Sequence, residues 1–155
     1  MKRSNTAQIS ALIAQDVSEL EKLEEATHLS FWGTEHYTRF LGQLEYFGRK
    51  AVATIEPGVM RLVGFFLARA ILENLELLKI GVYPEFQKQG IGTRLLDAVL
   101  VEGVKRGCSR CFLEVRKSNQ SAIQFYYDRQ FKIAGERIGY YTEPVEDAWI
   151  MERWL

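Results

Sequence analysis

Apolar residues recur along this chain with two periods, the alternation of strands and the three-to-four spacing of helices. A short apolar run, Ile9–Ala14, predicts a first strand. Asp16-Val17-Ser18-Glu19 then has the pattern of a capping box, with Asp16 as N-cap and Glu19 reaching back. Leu20, Leu23 and Ala26, with Thr27, give the following helix one apolar face, to about His28. A turn at Gly33 and a cap at Thr34 open a second helix, in which Tyr37, Phe40, Leu41 and Leu44 share a face to about Glu45. Strands follow at 50–55 and 61–72 around the turn Glu56-Pro57-Gly58, and a turn at Glu73-Asn74 leads into a third, Leu75–Val82. Connections this short imply an antiparallel meander.

After that meander the pattern changes. Leu95, Leu96, Val99, Leu100 and Val104 sit at helical spacing, and Gly107 is placed to end the helix. Cys111–Val115 reads as a strand, and Ser118-Asn119 caps a helix carrying Ala122, Ile123, Phe125, Tyr126 and Tyr127. Segments 132–140 and 147–154 close the chain as a hairpin. The expected architecture is a mixed α+β (α/β) sheet with one strand–helix–strand crossover, not the repeated crossovers of a dinucleotide-binding fold.

That crossover carries the sharpest local signal. Between the strand ending at Val82 and the helix beginning near Ile91 lies Gln87-Lys88-Gln89-Gly90-Ile91-Gly92, a Gln-x-x-Gly-x-Gly loop. A helix start leaves backbone N–H groups unpaired and partly positive, and glycines let an anion approach them. The loop is therefore expected to bind phosphate, the alternative being a purely structural turn with a glycine helix start. It is not a Walker A loop, because no Gly-Lys-Ser/Thr follows, and Leu95 stands where a dinucleotide fingerprint needs its last glycine.

Composition narrows the class rather than the chemistry. With 155 residues, 47% hydrophobic and 26% charged, the chain fits one domain over 1–155. Twenty basic residues balance twenty acidic ones, so no global field draws it to nucleic acid or an anionic membrane. The start Met1-Lys2-Arg3-Ser4-Asn5-Thr6 lacks a following apolar stretch of signal-peptide length, and a cytoplasmic protein is expected. Cys108 and Cys111 stand apart from His28 and His36, so no metal site is expected, and both cysteines are read as reduced thiols.

Three further residues could carry chemistry. Glu114 lies within Phe112-Leu113-Glu114-Val115, the strand after the glycine-loop helix. A carboxylate buried there would have a raised pKa and could serve as a general base; equally, it could pair with Arg116 or Lys117 or lie on an exposed face. Asn119 is a helix cap in the first instance. Tyr126, two turns on, is either a core residue or a phenol able to protonate a leaving thiolate.

Together these stretches resemble a known family. Ile80-Gly81-Val82-Tyr83-Pro84-Glu85-Phe86-Gln87-Lys88-Gln89-Gly90-Ile91-Gly92, then Leu113-Glu114-Val115-Arg116-Lys117-Ser118-Asn119 and Ala122-Ile123-Gln124-Phe125-Tyr126, resemble the GCN5-related N-acetyltransferases, and more closely the RimI-type ribosomal-protein-alanine N-acetyltransferases. The likeness runs from about Asn74 onward; before it, Phe31-Trp32-Gly33-Thr34-Glu35 is only loosely similar. It implies an acyl-CoA N-acyltransferase fold with a mostly antiparallel central sheet flanked by helices.

The resemblance also implies roles. Backbone groups of Ile80, Gly81 and Val82 would pair with the pantetheine arm of acetyl-CoA, and the loop Gln87, Lys88, Gln89, Gly90, Ile91, Gly92 and Thr93 would cradle its pyrophosphate. Asn119 would contact the pantetheine, Glu114 would be the base and Tyr126 the acid. Tyr140, Tyr141 and Glu35 would face the acceptor, a protein or peptide N-terminus such as that of a ribosomal protein. An α-amine, with a pKa near 8, needs less help from a base than a lysine near 10.4. Two departures fall on the acceptor side: Gly139-Tyr140-Tyr141-Thr142 replaces Asn-Tyr-Tyr-Pro, and Phe31 replaces a proline before Trp32. The alternatives are an enzyme of the same superfamily acting on a small amine or a lysine side chain, and a CoA-binding regulatory module.

Overall fold

The computed structural model describes residues 7–155. Lys2 and Arg3, on which the expectation for the N-terminus rests, lie outside the described residues. The elements come in the expected order: β1 (Gln8–Ala11), α1 (Val17–Thr27), α2 (Gly33–Leu41), β2 (Tyr46–Glu56), β3 (Val59–Ile71), β4 (Asn74–Val82), α3 (Ile91–Lys105), β5 (Arg110–Arg116), α4 (Gln120–Tyr127), β6 (Lys132–Thr142) and β7 (Val145–Trp154).

Several boundaries move for identifiable reasons. The first strand stops at Ala11 because a short 3-10 turn, Ala14–Asp16, intervenes before α1. Asp16 does precede α1, but its side chain does not cap it. The carboxylate turns back instead, accepting from the Ile13 N–H at 2.9 Å and pairing with Lys50 at 2.6 Å. Thr34 likewise spends its hydroxyl on Glu21, at 2.8 Å. Helix α2 ends at Leu41 rather than near Glu45, since Gly42 follows and Phe40 stacks on Tyr46, the first residue of β2, at 4.5 Å. Leu44, expected on the buried face, is 93% exposed.

The strands form one seven-stranded sheet in the order β1-β2-β3-β4-β5-β7-β6. Every neighbouring pair is antiparallel except β4 and β5, which the α3 crossover makes parallel. Alternation along the central strands divides the interior in two. Phe66, Ala68, Leu75 and Leu77 join Leu95, Leu96 and Val99 of α3 and Ile123 of α4 in one core. Phe65 and Leu67, on the opposite face of β3, meet Leu20 and Leu23 of α1 and Tyr37 of α2 in the other. Helix α3 lies close to β4: a Cβ at Gly103 would come within 2.4 Å of the Leu75 side chain.

One irregularity in this sheet creates the site. Strands β4 and β5 pair only from Asn74 with Arg110 to Leu77 with Leu113. Beyond that, β5 stays with β7 as far as Arg116, opposite Ala148, while β4 stays with β3 as far as Val82, opposite Gly64. Leu78 is the extra residue of a β-bulge, because Leu67 pairs with Lys79 and Ala68 with Leu77. A bulge bends its strand and ends regular pairing. The two strands therefore part, and a cleft opens between them.

Candidate active site

The cleft has a volume of about 210 Å³. Leu78, Lys79 and Ile80 form its β4 wall, Glu114 and Val115 its β5 wall, and Asn119 and Tyr126 of α4 line it as well. Tyr140 and Tyr141 close one side from β6, and Thr27 to Ser30 with Trp32, between α1 and α2, close the other. Of the residues singled out in the sequence, Ile80, Glu114, Asn119, Tyr126, Tyr140 and Tyr141 thus meet in one place. Glu35 sits exposed in the first turn of α2 and is not part of the lining.

The β4 edge facing the cleft has lost its strand partner. The Tyr83 N–H donates to the Val63 carbonyl at 2.9 Å, so Tyr83 and Gly81 direct their backbone groups to β3. Ile80 and Val82 consequently present theirs to the cleft side. There the Gln87 side-chain amide donates to the Val82 carbonyl at 2.9 Å, binding the loop to the strand. Gly81 has a packing reason of its own, since a Cβ would lie 2.8 Å from Leu23 and 2.9 Å from Leu29. Its glycine lets α1 approach β4.

The loop enters α3 through two left-handed residues, Lys88 (φ 57°) and Gly90 (φ 82°). No side chain caps the helix start. A Cβ at Gly90 would meet open space, so that glycine answers to conformation alone. Gly92 differs: a Cβ there would be in ordinary contact with Phe125, at 3.7 Å, so the fold does not require glycine. Space above unpaired helix N–H groups is what an anion needs. The Thr93 hydroxyl accepts from the Arg129 guanidinium, which also covers the Phe125 ring at 3.8 Å. Gln89 turns its amide onto the Glu85 carbonyl at 3.0 Å, and Ile91 is buried in the core.

Of the alternatives the sequence left open for Glu114, the exposed one holds: it is exposed at the cleft and accepts from Arg137 of β6, at 2.7 Å. Neither Arg116 nor Lys117 pairs with it. Arg116 instead binds Glu146 at 3.3 Å and stacks on Tyr141 at 4.0 Å, and Lys117 binds Glu136 and Asp147. Arg137 also covers the Tyr140 ring at 4.2 Å. Burial raises the pKa of Tyr140, and the Glu114 carboxylate adds to that rise. Burial pushes the Tyr141 phenol up to about 12.

Tyr126 is both core and cleft residue. Its ring packs edge-on against Phe125 and Phe131, at 5.3 and 5.6 Å, and 7% of the residue is exposed. Its hydroxyl makes no hydrogen bond among the described residues and is not one of the fully buried unpaired polar atoms, so it opens on the cleft. Burial raises its pKa well above that of an ordinary phenol. Asn119 caps α4, accepting from the Ala122 N–H at 3.1 Å. Its own amide remains able to donate.

Residues not foreseen as functional complete the site. Arg137 could be found only through the register of the closing hairpin. Lys79 and Glu24 form a buried ion pair beside the cleft, joined by the Tyr37 hydroxyl at 2.5 Å from Glu24. Among the described residues no group of three or more His, Cys, Asp or Glu side chains converges as a metal site would require. Both cysteines are buried free thiols, and burial pushes Cys111 up to about 12.

Comparison with known proteins bears on the family and the fold. The sequence profile of the acetyltransferase (GNAT) family matches residues 17–131. A ribosomal protein bS18-alanine N-acetyltransferase of Escherichia coli K12 is 32% identical over 145 residues, covering 92% of this chain and 94% of that one. The crystal structure of the Escherichia coli ribosomal-protein-S18-alanine N-acetyltransferase superposes with a TM-score of 0.81 at 31% identity, over 96% of this chain and 93% of that one. Arabidopsis thaliana Naa50, solved with the bisubstrate analogue CoA-Ac-MVNAL, shares the fold with a TM-score of 0.80 at 22% identity, over 96% of this chain and 98% of that one. The chain belongs to the acetyltransferase (GNAT) family and is an acetyl-CoA-dependent N-acetyltransferase.

Proposed function

We propose that the chain, acting as a single cytoplasmic domain, acetylates the N-terminal α-amino group of a protein, with a ribosomal protein as the candidate acceptor, by direct transfer in a ternary complex. The observation that carries this reading is the convergence in one cleft of the unpartnered Tyr126 hydroxyl, the Glu114 carboxylate and the free edge of β4 at Ile80. The relatives named for ribosomal-protein alanine acetylation support the acceptor class. Among the described residues no helix is long and apolar enough to cross a membrane.

The roles are those the family resemblance implies, and the position of each residue is compatible with its role. The edge of Ile80 and Val82 holds the pantetheine arm as a further strand would be held, and the amides from Lys88 to Thr93 receive the pyrophosphate. Asn119 donates its amide to the same arm. Acetyl-CoA supplies an activated thioester: the amine nitrogen bonds to its carbonyl carbon, the carbon–sulfur bond breaks, and sulfur leaves as thiolate. Glu114 takes the proton lost by the amine, directly or through water, and the Tyr126 hydroxyl faces the departing sulfur. Tyr140 and Tyr141 border the acceptor. Gly139 lies at φ 60°, which asparagine also tolerates, so replacing the family's asparagine leaves this backbone path open.

The test is an acetylation assay over peptides differing in their first residues, alongside N-terminally blocked lysine peptides and polyamines. Transfer to free N-termini with discrimination among first residues is expected. A clear preference for polyamines or for internal lysine would overturn the acceptor assignment.

A further inference from the structure

In the cleft wall at residues 28–32, Leu29 and Trp32 pack against the core between α1 and α2, and the residues around them do not. His28 is exposed and left-handed at φ 56°, Ser30 is exposed, and Phe31 is 73% exposed. A buried polar cluster beneath the segment holds its backbone at Ser30 and Trp32. The Lys79 ammonium donates to the Ser30 carbonyl and to Glu24, and lies 4.6 Å from the centre of the Trp32 ring. The second Glu24 oxygen accepts from the Trp32 N–H at 3.4 Å, and the Leu29 N–H reaches the Glu24 carbonyl at 3.0 Å. Tyr37 of α2 completes the cluster through its hydroxyl on Glu24. Lys79 is 5% exposed, Glu24 1% and Tyr37 0%.

A buried ion pair of this kind is a poor source of stability, because desolvation opposes the attraction. Here it fixes a conformation, and its place in the strand says which. Lys79 immediately precedes Ile80, where the free edge of β4 begins, so one residue joins the donor strand to the opposite wall. The loop that receives the pyrophosphate lies beyond Val82, toward α3. The amine must therefore come to Glu114 between residues 28–32 and Tyr140-Tyr141.

We infer that Lys79 is a positioning residue for the acceptor: held by Glu24, it pins residues 28–32 as the wall that guides the amine to Glu114. This rests on the cleft being the acceptor site of an N-acetyltransferase. The acetyl-CoA side is set separately, by the pairing of Ile80 with Phe66 and Val82 with Gly64 and by the start of α3.

Lys79→Met alone strands Glu24 as an unpaired buried charge, so the informative variant is Lys79→Met with Glu24→Gln. That variant buries no charge and leaves Tyr37 an acceptor. Steady-state kinetics with an N-terminal peptide, with each substrate varied in turn, are run beside thermal melting. The expected result is an acceptor KM raised by about tenfold or more, with acetyl-CoA KM and kcat within about twofold, as expected when binding of one substrate alone is lost. A folded double variant with both KM values unchanged overturns the inference, as does an equal rise in both, which marks general loosening. If the wild type prefers a polyamine to every peptide, the N-terminal reading falls, and the same split in KM measured with the polyamine still decides the role of Lys79.

Discussion

Replacing Tyr126 by phenylalanine separates the chemistry of the cleft from its packing. The ring contacts with Phe125 and Phe131 survive, and the hydroxyl removed has no partner among the described residues. Folding stability should change by less than about 0.5 kcal/mol, since no hydrogen bond is broken. For a domain of this size that is a shift in Tm of less than about 2 °C. Turnover should respond far more. Burial raises the Tyr126 pKa above that of an ordinary phenol, so full proton transfer to a thiolate, whose acid has a pKa near 8.5, is uphill. The hydroxyl then acts chiefly as a donor to the charge developing on sulfur, a bond worth about 1.5–3 kcal/mol. At 1.36 kcal/mol per decade, kcat should fall about 10- to 150-fold with acetyl-CoA binding nearly unchanged. Initial rates, acetyl-CoA titration and melting curves measure these quantities. The raised pKa also fixes a sign: the phenol stays protonated as pH rises, so the rate should climb through the amine pKa near 8 and show no Tyr126-dependent fall below pH 10. An unchanged kcat, a matching loss of acetyl-CoA affinity, or a falling limb below pH 10 that vanishes in the variant would each refute the reasoning.

The remaining predictions use the same assays. Glu114→Gln should lower turnover at pH 7 by about 10²–10⁴-fold, and by less at pH 9, where more of the amine is already neutral. Its stability cost should stay below about 1 kcal/mol, because the Arg137 pair is half exposed; unaltered turnover removes Glu114 as base. Gly92→Ala should raise acetyl-CoA KM without lowering Tm, since the new methyl meets only ordinary contact with Phe125 and alanine favours helix by about 0.5–1 kcal/mol; a lowered Tm with unchanged KM would count against a phosphate cradle there. Gly103→Ala should do the reverse, costing about 1–3 kcal/mol through its clash with Leu75 and leaving both KM values alone in the folded fraction.

The second half of the chain was readable because its signals are local. The glycine loop, the apolar stripe of α3 and the Asn119 cap each depend on a few adjacent residues, and α3 begins at Ile91 as its stripe implies. The cleft was not readable in that way. It arises from the Leu78 bulge and from β5 following β7 away from β4, both consequences of pairing between distant segments. The same limit hid Arg137. Its pairing with Glu114 depends on the hairpin register, which shifts between Arg137 and Tyr141, so spacing along the chain pointed to Arg116 and Lys117 instead.

The Glu24–Lys79 pair is a different case, because a signal was present and pointed elsewhere. Along α1 the buried stripe is Val17, Leu20, Leu23 and Glu24, so the glutamate occupies a position that helical spacing assigns to the core. Lys79 lies between Leu78 and Ile80 in a strand whose two faces are both covered by helices. Either charge alone reads as solvent-facing. Considered together, one carboxylate and one ammonium at core positions in elements that pack on each other require a partner, because an isolated buried charge is far more costly than a paired one. In this chain that partner is also the support of the acceptor wall. A mismatch between apolar pattern and charge therefore indicates acceptor geometry here as the glycine loop indicates the donor, and the two meet where Lys79 gives way to Ile80.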